Sequence, residues 1–304
     1  MTGVWQAFSL VGSAVLYVPM ILVVYWCVSP AWGARLAVML SFSGVLNELL
    51  KTLFHAPRPY WTHPGIRTPE PIAGYGMPSG HAQNSIVVWG TLARLAGTRR
   101  AWVAAGVLGL GIGLSRIFLH VHSPTQVLAG WMLGGGVLAT ALVLGPAVLV
   151  WWRARRLAVQ LGLSLLVPLV LLFCVDLAVD SQQGWRMPEA WVEAIRASGG
   201  RVPRPSLNNG AAGTGMLAGI LAGLSVITSR GGFDAGGPWG RRLARVPVGL
   251  GGFVFLYGAG VLFGSHPVPV FVVFLLAGSW ATAGAPEVFT GMGLATRGGA
   301  RTPV

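Results

Sequence analysis

The chain has 304 residues, of which 54% are hydrophobic and only 10% are charged. Soluble globular proteins carry about 25% charged residues, so this composition excludes an ordinary soluble domain and indicates a polytopic membrane protein. The net charge of +13 comes from basic residues that stand singly or in short clusters between apolar segments. This distribution argues against a nucleic-acid partner, which would require a continuous basic surface.

Nine runs have the length of about 20 apolar residues that a membrane-spanning helix needs. They lie at residues 5–29, 32–54, 79–98, 101–119, 125–151, 157–178, 211–229, 246–265 and 268–288. We therefore predict an all-α membrane helical bundle of about nine spans, of which the third and fourth are marginal. No Lys or Arg precedes the first run, so it is interpreted as a retained span instead of a signal peptide.

Arginine clusters predict the orientation. The linkers after the third, fifth and seventh runs carry such clusters at residues 99–100, 153–156 and 241–245. Cytoplasmic loops are enriched in Lys and Arg, so these linkers should face the cytoplasm. The periplasm or cell exterior then receives the loops at 55–78, 119–124 and 179–210.

Two glycine series predict close helix packing. GxxxG spacing places glycines on one helix face, where backbones can approach each other. The series are Gly130/Gly134 and Gly215/Gly219/Gly223.

The first segment with chemical potential runs from Lys51 to Pro59, at the end of the second predicted span. Lys51 is the only lysine in the chain. An ionisable group at membrane depth indicates function by default. The alternative is a lysine that extends its amine to the membrane surface, paired with Glu48.

The second segment, from Gly76 to His81, opens a predicted helix. Ser79 is a suitable N-cap, and Gly80 permits close backbone approach. Free N–H groups at a helix N-terminus bind anions, and His81 stands in the first turn beside them. An ordinary cap followed by a polar histidine is the alternative.

The third segment contains Arg116, His120 and His122. Arg116 lies near the end of a run rich in Gly and Leu, where an unpaired guanidinium is costly. It therefore requires a buried anion or a hydrated cleft. A metal site is disfavoured, because no Asp, Glu or Cys lies near the two histidines.

Together the three segments hold three cations and at least two histidines on one predicted face of the membrane. Three cations can neutralise the oxygens of a transferring phosphoryl group. One histidine can attack as a nucleophile while another protonates the leaving oxygen. This set of side chains is suited to phosphoryl transfer without a metal or other cofactor.

The segments closely resemble the type 2 phosphatidic acid phosphatase superfamily, whose pattern is Lys-x6-Arg-Pro, Pro-Ser-Gly-His and Ser-Arg-x5-His-x3-Asp. The matching residues are Lys51 with Arg58-Pro59, Pro78 to His81, and Ser115-Arg116 with His122. The resemblance spans about residues 45–135. We expect a catalytic membrane domain at 1–155 and additional transmembrane helices at 156–304, with an extracytoplasmic loop near 179–210.

The resemblance also implies a role for each residue. His122 would form a phosphohistidine, and His81 would protonate the leaving group and later activate water. His120 is out of register by two and is interpreted as a bystander. Phosphate binding would fall to Lys51, Arg58, Ser79, Gly80 and Arg116.

Gln126 departs from the pattern, which usually has Asp there. Glutamine can accept a hydrogen bond from the His122 ring, so it preserves orientation but loses charge stabilisation. Branches that resemble glucose-6-phosphatase and dolichyl-diphosphate phosphatase also carry glutamine. We therefore interpret Gln126 as a branch marker and keep it among the catalytic residues.

These observations favour a phosphatase of lipid phosphates or polyprenyl diphosphates at the outer face of the cytoplasmic membrane. Its partners would be membrane lipids and an amphiphilic phosphorylated substrate. Tyr60-Trp61 and Gln126 keep a glucose-6-phosphatase-like sugar-phosphate hydrolase open. A non-catalytic anion binder or transporter is a further alternative. The predicted spans argue against a soluble vanadium haloperoxidase, and no feature of the sequence indicates an oligomeric state.

Overall fold

A computed structural model describes residues 2–63, 65–203, 206–262 and 266–298. Parts of four predicted features lie outside these residues. They are position 64 of the predicted loop at 55–78, the last three residues of the run at 246–265, positions 204 and 205 of the predicted extracytoplasmic loop, and residues 299–304 of the region predicted at 156–304.

Within the described ranges the chain forms thirteen α-helices. The first seven are α1 Thr2–Val11, α2 Ala14–Val23, α3 Pro30–Phe54, α4 Pro59–Thr62, α5 Gly80–Ala96, α6 Arg99–Phe118 and α7 Pro124–Arg153. The others are α8 Leu157–Asp180, α9 Glu189–Ala197, α10 Asn208–Ser229, α11 Trp239–Leu262, α12 Pro267–Ser279 and α13 Ala285–Gly291. π-helical turns at Val24–Val28 and Trp280–Gly284 follow α2 and α12. A two-residue strand, β1 Phe233–Asp234, pairs antiparallel with β2 Thr296–Arg297.

Local sequence explains several helix boundaries. Four helices begin with proline, whose missing N–H would have no partner in a first turn: Pro30, Pro59, Pro124 and Pro267. Gly97 ends α5 in the left-handed conformation, at φ 66°, which glycine adopts without steric cost.

The predicted all-α polytopic membrane class is confirmed. Seven helical stretches in the described residues are long and apolar enough to cross a membrane; one of them, Pro267–Gly291, joins α12 to α13 through the π-helical turn. The pair Gly3–Val11 and Ala14–Val28, bent by 45°, makes an eighth if it is one span. The expected nine is therefore high by one or two. The predicted run at 79–98 forms α5, whose 17 residues are short for a spanning helix.

One compact unit contains the three motif segments. It consists of the N-terminal residues through Tyr17, Ser43–Gly145 and Cys174–Ser206. Here α1 packs against α6, with the Trp5 ring stacked on Phe118 at 4.2 Å, and α9 packs against α4. Residues 174–206 are thus part of the same compact unit as the motif-bearing segments, and the division at residue 155 stays a prediction.

The Gly130/Gly134 face packs against the backbone of α5, as its spacing predicts. A Cβ atom at position 130 would lie 2.5 Å from the Ser79 carbonyl oxygen, and one at 134 would lie 2.5 Å from the Gln83 carbonyl oxygen. Real Cβ atoms do not approach other atoms so closely. The two glycines therefore set the distance between α7 and the N-terminus of α5.

The other compact unit consists of Val18–Phe42, Pro146–Phe173 and the chain from Leu207 onward. The second glycine series brings α10 against α12, as predicted. A Cβ atom on Gly215 or Gly219 would collide with the carbonyl oxygen of Phe271 or Leu275, respectively.

A buried arginine joins several segments of this unit. Arg245 of α11 is 1% exposed, and its guanidinium makes five hydrogen bonds. Their acceptors are the carbonyl oxygens of Trp26, Ala235, Gly236 and Leu294. Each of the five N–H groups that a guanidinium carries thus has an acceptor.

We predict that Gly130→Ala destabilises the protein by about 1–3 kcal/mol, the usual cost of overpacking, and moves the N-terminus of α5. Thermal unfolding of purified protein in detergent would measure the loss. Gly135→Ala is the matched control on the same helix, because nothing lies within 4 Å of a Cβ there. Equal melting temperatures for the two variants would contradict this packing.

Candidate active site

The predicted site residues lie at the ends of four helices and in the loops beside them. Lys51 is in the last turn of α3, and Arg116 is in the last turn of α6. Ser79 occupies the N-cap position of α5 without a side-chain capping hydrogen bond, and α5 begins with Gly80 and His81. Gln126 lies in the first turn of α7. Arg58 and His122 follow α3 and α6, respectively, in the intervening loops.

His122 is 3% exposed and held by hydrogen bonds on both ring nitrogens. Its Nδ1 lies 2.8 Å from the Gly76 carbonyl oxygen and 3.2 Å from Gln126 Oε1. Its Nε2 lies 3.1 Å from Arg58 Nη1. Because a guanidinium only donates, Nε2 is the acceptor and the ring proton resides on Nδ1. The Nε2 lone pair therefore points toward the cationic side of the site.

Burial lowers the pKa of His122 well below its usual value, and the charges of Arg58, Lys51, Arg116 and His81 lower it further. A neutral imidazole is consequently the stable form at pH 7. Because these charges affect the pKa of His122, the predicted cations and the second histidine lie within electrostatic range of its ring. The structure thus brings together residues from all three sequence segments.

Gln126 connects His122 to the loop of the first segment. Its Oε1 accepts hydrogen bonds from the Ser123 backbone N–H, at 3.1 Å, and from His122 Nδ1. Its Nε2 donates to the Pro57 carbonyl oxygen at 2.7 Å. A carboxylate in this position could not donate a hydrogen bond to the Pro57 carbonyl oxygen. The amide of Gln126 therefore both orients the His122 ring and bonds to the loop of the first segment.

Arg58 is 1% exposed, and every N–H of its guanidinium has an acceptor. One acceptor is His122 Nε2. The others are the carbonyl oxygens of Ala73, Gly74, Tyr75 and Val121. Arg58 therefore holds the loop that precedes α5 against the loop that carries His122, a contribution that the sequence analysis did not anticipate.

Arg116 contrasts with Arg58. It is 0% exposed, and its Nη1 donates to Ser9 Oγ of α1 and lies 3.8 Å from Glu70 Oε2. Its Nε and Nη2 have no hydrogen-bond partner among the described residues, and neither has the buried hydroxyl of Ser79. Unsatisfied buried donors are costly, so this pair of residues is prepared for an anionic acceptor.

A buried polar network orients the N-terminus of α5. Asn47 Nδ2 donates to the Pro78 carbonyl oxygen at 3.3 Å and to Gln83 Oε1 at 2.6 Å. Gln83 Nε2 in turn donates to the carbonyl and hydroxyl oxygens of Ser43, both at 2.8 Å. A Cβ on Gly80 would lie 3.1 Å from Asn47 Oδ1, so glycine suits this close approach.

The sequence analysis missed four contributors: Ser9, Asn47, Glu70 and the Gly76 carbonyl group. Of these four residues, only Gly76 lies in a segment that the sequence analysis singled out, the one from Gly76 to His81. His120 is exposed, with a φ of 57°, in contrast to the buried His122. Within the described ranges no group of three or more His, Cys, Asp or Glu side chains is arranged to hold a metal.

Two family models match the chain. Residues 32–157 match the PAP2 superfamily, and residues 211–297 match the PAP2 superfamily phosphatase transmembrane extension. The chain belongs to the PAP2 superfamily. The resemblance drawn from the three motifs is thereby confirmed, and the first PAP2 match contains every predicted site residue.

Several PAP2-type relatives are similar over part of their length. Mouse (Mus musculus) glucose-6-phosphatase 3 is 29% identical over 175 residues, which cover 48% of this chain and 51% of that protein. Mouse sphingosine-1-phosphate phosphatase 2 is 28% identical over 149 residues, covering 46% and 40%. Undecaprenyl-diphosphatase of Sulfolobus acidocaldarius is 29% identical over 107 residues, covering 34% and 51%. The chain thus spans about half the length of these relatives or less, and no solved structure matches it.

We predict that Gln126→Leu lowers phosphate release about 100-fold, since a displaced catalytic group costs on that order. Gln126→Glu should retain most of the activity, because its carboxylate still accepts from His122 Nδ1 and loses only the bond to Pro57. The measurement is phosphate release by the purified variants, compared at equal amounts of folded protein. Equal loss in both variants would instead identify the Pro57 bond as the essential one.

Proposed function

We propose that this protein is a multi-pass membrane phosphatase that transfers a phosphoryl group from a lipid phosphate or polyprenyl diphosphate to His122, and then to water. The observation that carries the proposal is the protonation state and orientation of the His122 ring. Its ring is neutral, its Nδ1–H is anchored by Gly76 and Gln126, and its Nε2 faces the cations. That state is the one a nitrogen nucleophile requires.

The first step forms the bond between Nε2 and phosphorus and breaks the bond from phosphorus to the leaving oxygen. His81 donates a proton to that oxygen. A bound phosphate adds negative charge beside His81, which favours the protonated imidazole that can act as an acid. In the second step water attacks phosphorus, the N–P bond breaks, and His81 takes the proton of the water.

Substrate binding requires Arg58 to change one hydrogen bond. All its N–H groups are in use, so it can contact phosphate only by releasing an acceptor. Release of His122 Nε2 leaves no carbonyl oxygen unsatisfied and frees the nucleophilic lone pair in the same movement. Arg116, with two unused nitrogens, can bind phosphate without any such exchange.

Aromatic residues beside the site support an amphiphilic substrate. The His55 ring stacks on Trp185 at 5.0 Å and meets Tyr75 edge-on at 5.4 Å. Trp185 is 36% exposed and lies in the segment that follows α8. Aromatic side chains favour the membrane–water boundary, where an apolar chain and its phosphate headgroup separate. The arginine clusters further support a site that faces the periplasm or cell exterior.

Hydrolysis of a sugar phosphate is the second candidate. The similarity to glucose-6-phosphatase 3 favours it, as do Gln126 and the buried Tyr60-Trp61 pair. Aromatic faces can also pack on a sugar ring, so the wall formed by His55, Tyr75 and Trp185 is compatible with this substrate.

A substrate panel tests the two candidates against each other. Phosphatidate, undecaprenyl diphosphate, phosphatidylglycerophosphate and glucose 6-phosphate would each be assayed for released phosphate, with and without EDTA. We expect turnover of an amphiphilic substrate that persists in EDTA. Preference for glucose 6-phosphate would favour the second candidate, and a strict Mg²⁺ requirement would contradict the metal-free mechanism.

We predict that His122→Ala abolishes phosphate release while the protein still inserts into membranes and folds. His120→Ala is the matched control two residues away, and it should retain activity because its side chain is exposed. Acid-labile labelling by a substrate with radioactive phosphorus should occur in the unsubstituted protein and disappear in His122→Ala. Substantial turnover by His122→Ala would remove this residue from the nucleophile role.

A further inference from the structure

Glu70 places a carboxylate beside the cation that has unused donors. Its Oε2 lies 3.8 Å from Arg116 Nη1, and its side chain is 38% exposed while that of Arg116 is 0% exposed. Glu70 therefore stands between solvent and the buried guanidinium. Glu70 belongs to none of the three motif segments, and it is neither part of the proposed reaction nor one of the proposed phosphate-binding residues.

The loop that carries Glu70 is fastened on both sides of it. Before it, Thr68 Oγ1 accepts from the Glu70 backbone N–H at 3.2 Å and donates to the Leu119 carbonyl oxygen at 3.0 Å. After it, Tyr60 Oη donates to the Ile72 carbonyl oxygen at 3.2 Å. The backbone at Glu70 is thus held by bonds to its neighbours, independently of the ion pair.

The contact with Arg116 is too loose to be a structural bond. At 3.8 Å the two groups attract each other but do not make a hydrogen bond, which needs about 3.2 Å or less. Ser9 Oγ already holds Nη1, so Arg116 does not depend on Glu70 for its position. The carboxylate therefore leaves Nε and Nη2 open, but its negative charge reduces the attraction of the guanidinium for a second anion such as phosphate.

We propose that Glu70 competes with phosphate for Arg116 and thereby weakens the binding of inorganic phosphate, the product left in the site after hydrolysis. The product role rests on the proposed function, whereas the competition itself concerns only the anion site. A substrate attached to a lipid is also held by its apolar part, but free phosphate is held by the cations alone. Competition at Arg116 weakens the binding of both by a similar factor, but the substrate keeps its apolar contacts, so the competition promotes release of the product.

The test is the affinity of Glu70→Gln for inorganic phosphate, measured by calorimetry on purified full-length protein in detergent. Loss of the competing charge should tighten binding about fivefold, as expected for a partly exposed ion pair worth about 1 kcal/mol. The inhibition constant of phosphate in the hydrolysis assay should fall by the same factor. Glu70→Asp retains the charge on a shorter side chain and should bind with intermediate affinity.

Glu193→Gln is the matched control, because Glu193 is an exposed carboxylate of α9 in the same unit. It should leave phosphate affinity unchanged. Weaker or unchanged binding by Glu70→Gln would overturn the proposal, since a residue that only positions Arg116 would loosen the site when removed. Tighter binding together with no turnover of any substrate would support the competition and contradict the phosphatase instead.

Discussion

A buried guanidinium needs an acceptor for each of its N–H groups, and three buried arginines in the described part of this chain differ in whether they have one. Arg58 and Arg245 are surrounded by carbonyl oxygens and are fully satisfied. Arg116 is equally buried, yet two of its nitrogens have no partner among the described residues. We therefore propose that an anion binds first at Arg116, whose donors the fold leaves unmatched, whereas Arg245 supports its own unit and Arg58 binds an anion only after releasing an acceptor.

The state of the proposed nucleophile depends on this arrangement. Arg58 donates to His122 Nε2, which excludes a proton there, and Gly76 accepts the proton of Nδ1. Backbone carbonyl groups thus determine the tautomer as much as the side chain of Gln126 does. The pattern of side chains that defines the PAP2 family is consequently only half of the site. The other half is the conformation of the loop between α4 and α5.

The sequence predicted those parts of the site that depend on local spacing. His81 follows its cap within one helical turn, and Arg116 precedes His122 across one helix end, so these residues could be placed without coordinates. Ser9 and Glu70 could not, because they reach Arg116 from positions distant in the chain. Glycine spacing predicted the helix contact at Gly130. Hydropathy predicted about nine spans, whereas seven or eight helical stretches are long and apolar enough, and α5 has only 17 residues.

The hydrogen bonds of Arg58 have an evolutionary consequence. The acceptors at positions 73, 74 and 75 are backbone oxygens, which every amino acid possesses. Only the exposed Ala73 can be replaced freely, because Gly74 has a φ of 83°, which other residues rarely adopt, and the side chain of Tyr75 is buried. The hydrogen bonds to Arg58 therefore constrain the path of the loop and not the identity of its exposed side chain. Evolution can vary that side chain while the orientation of Arg58 toward His122 stays the same.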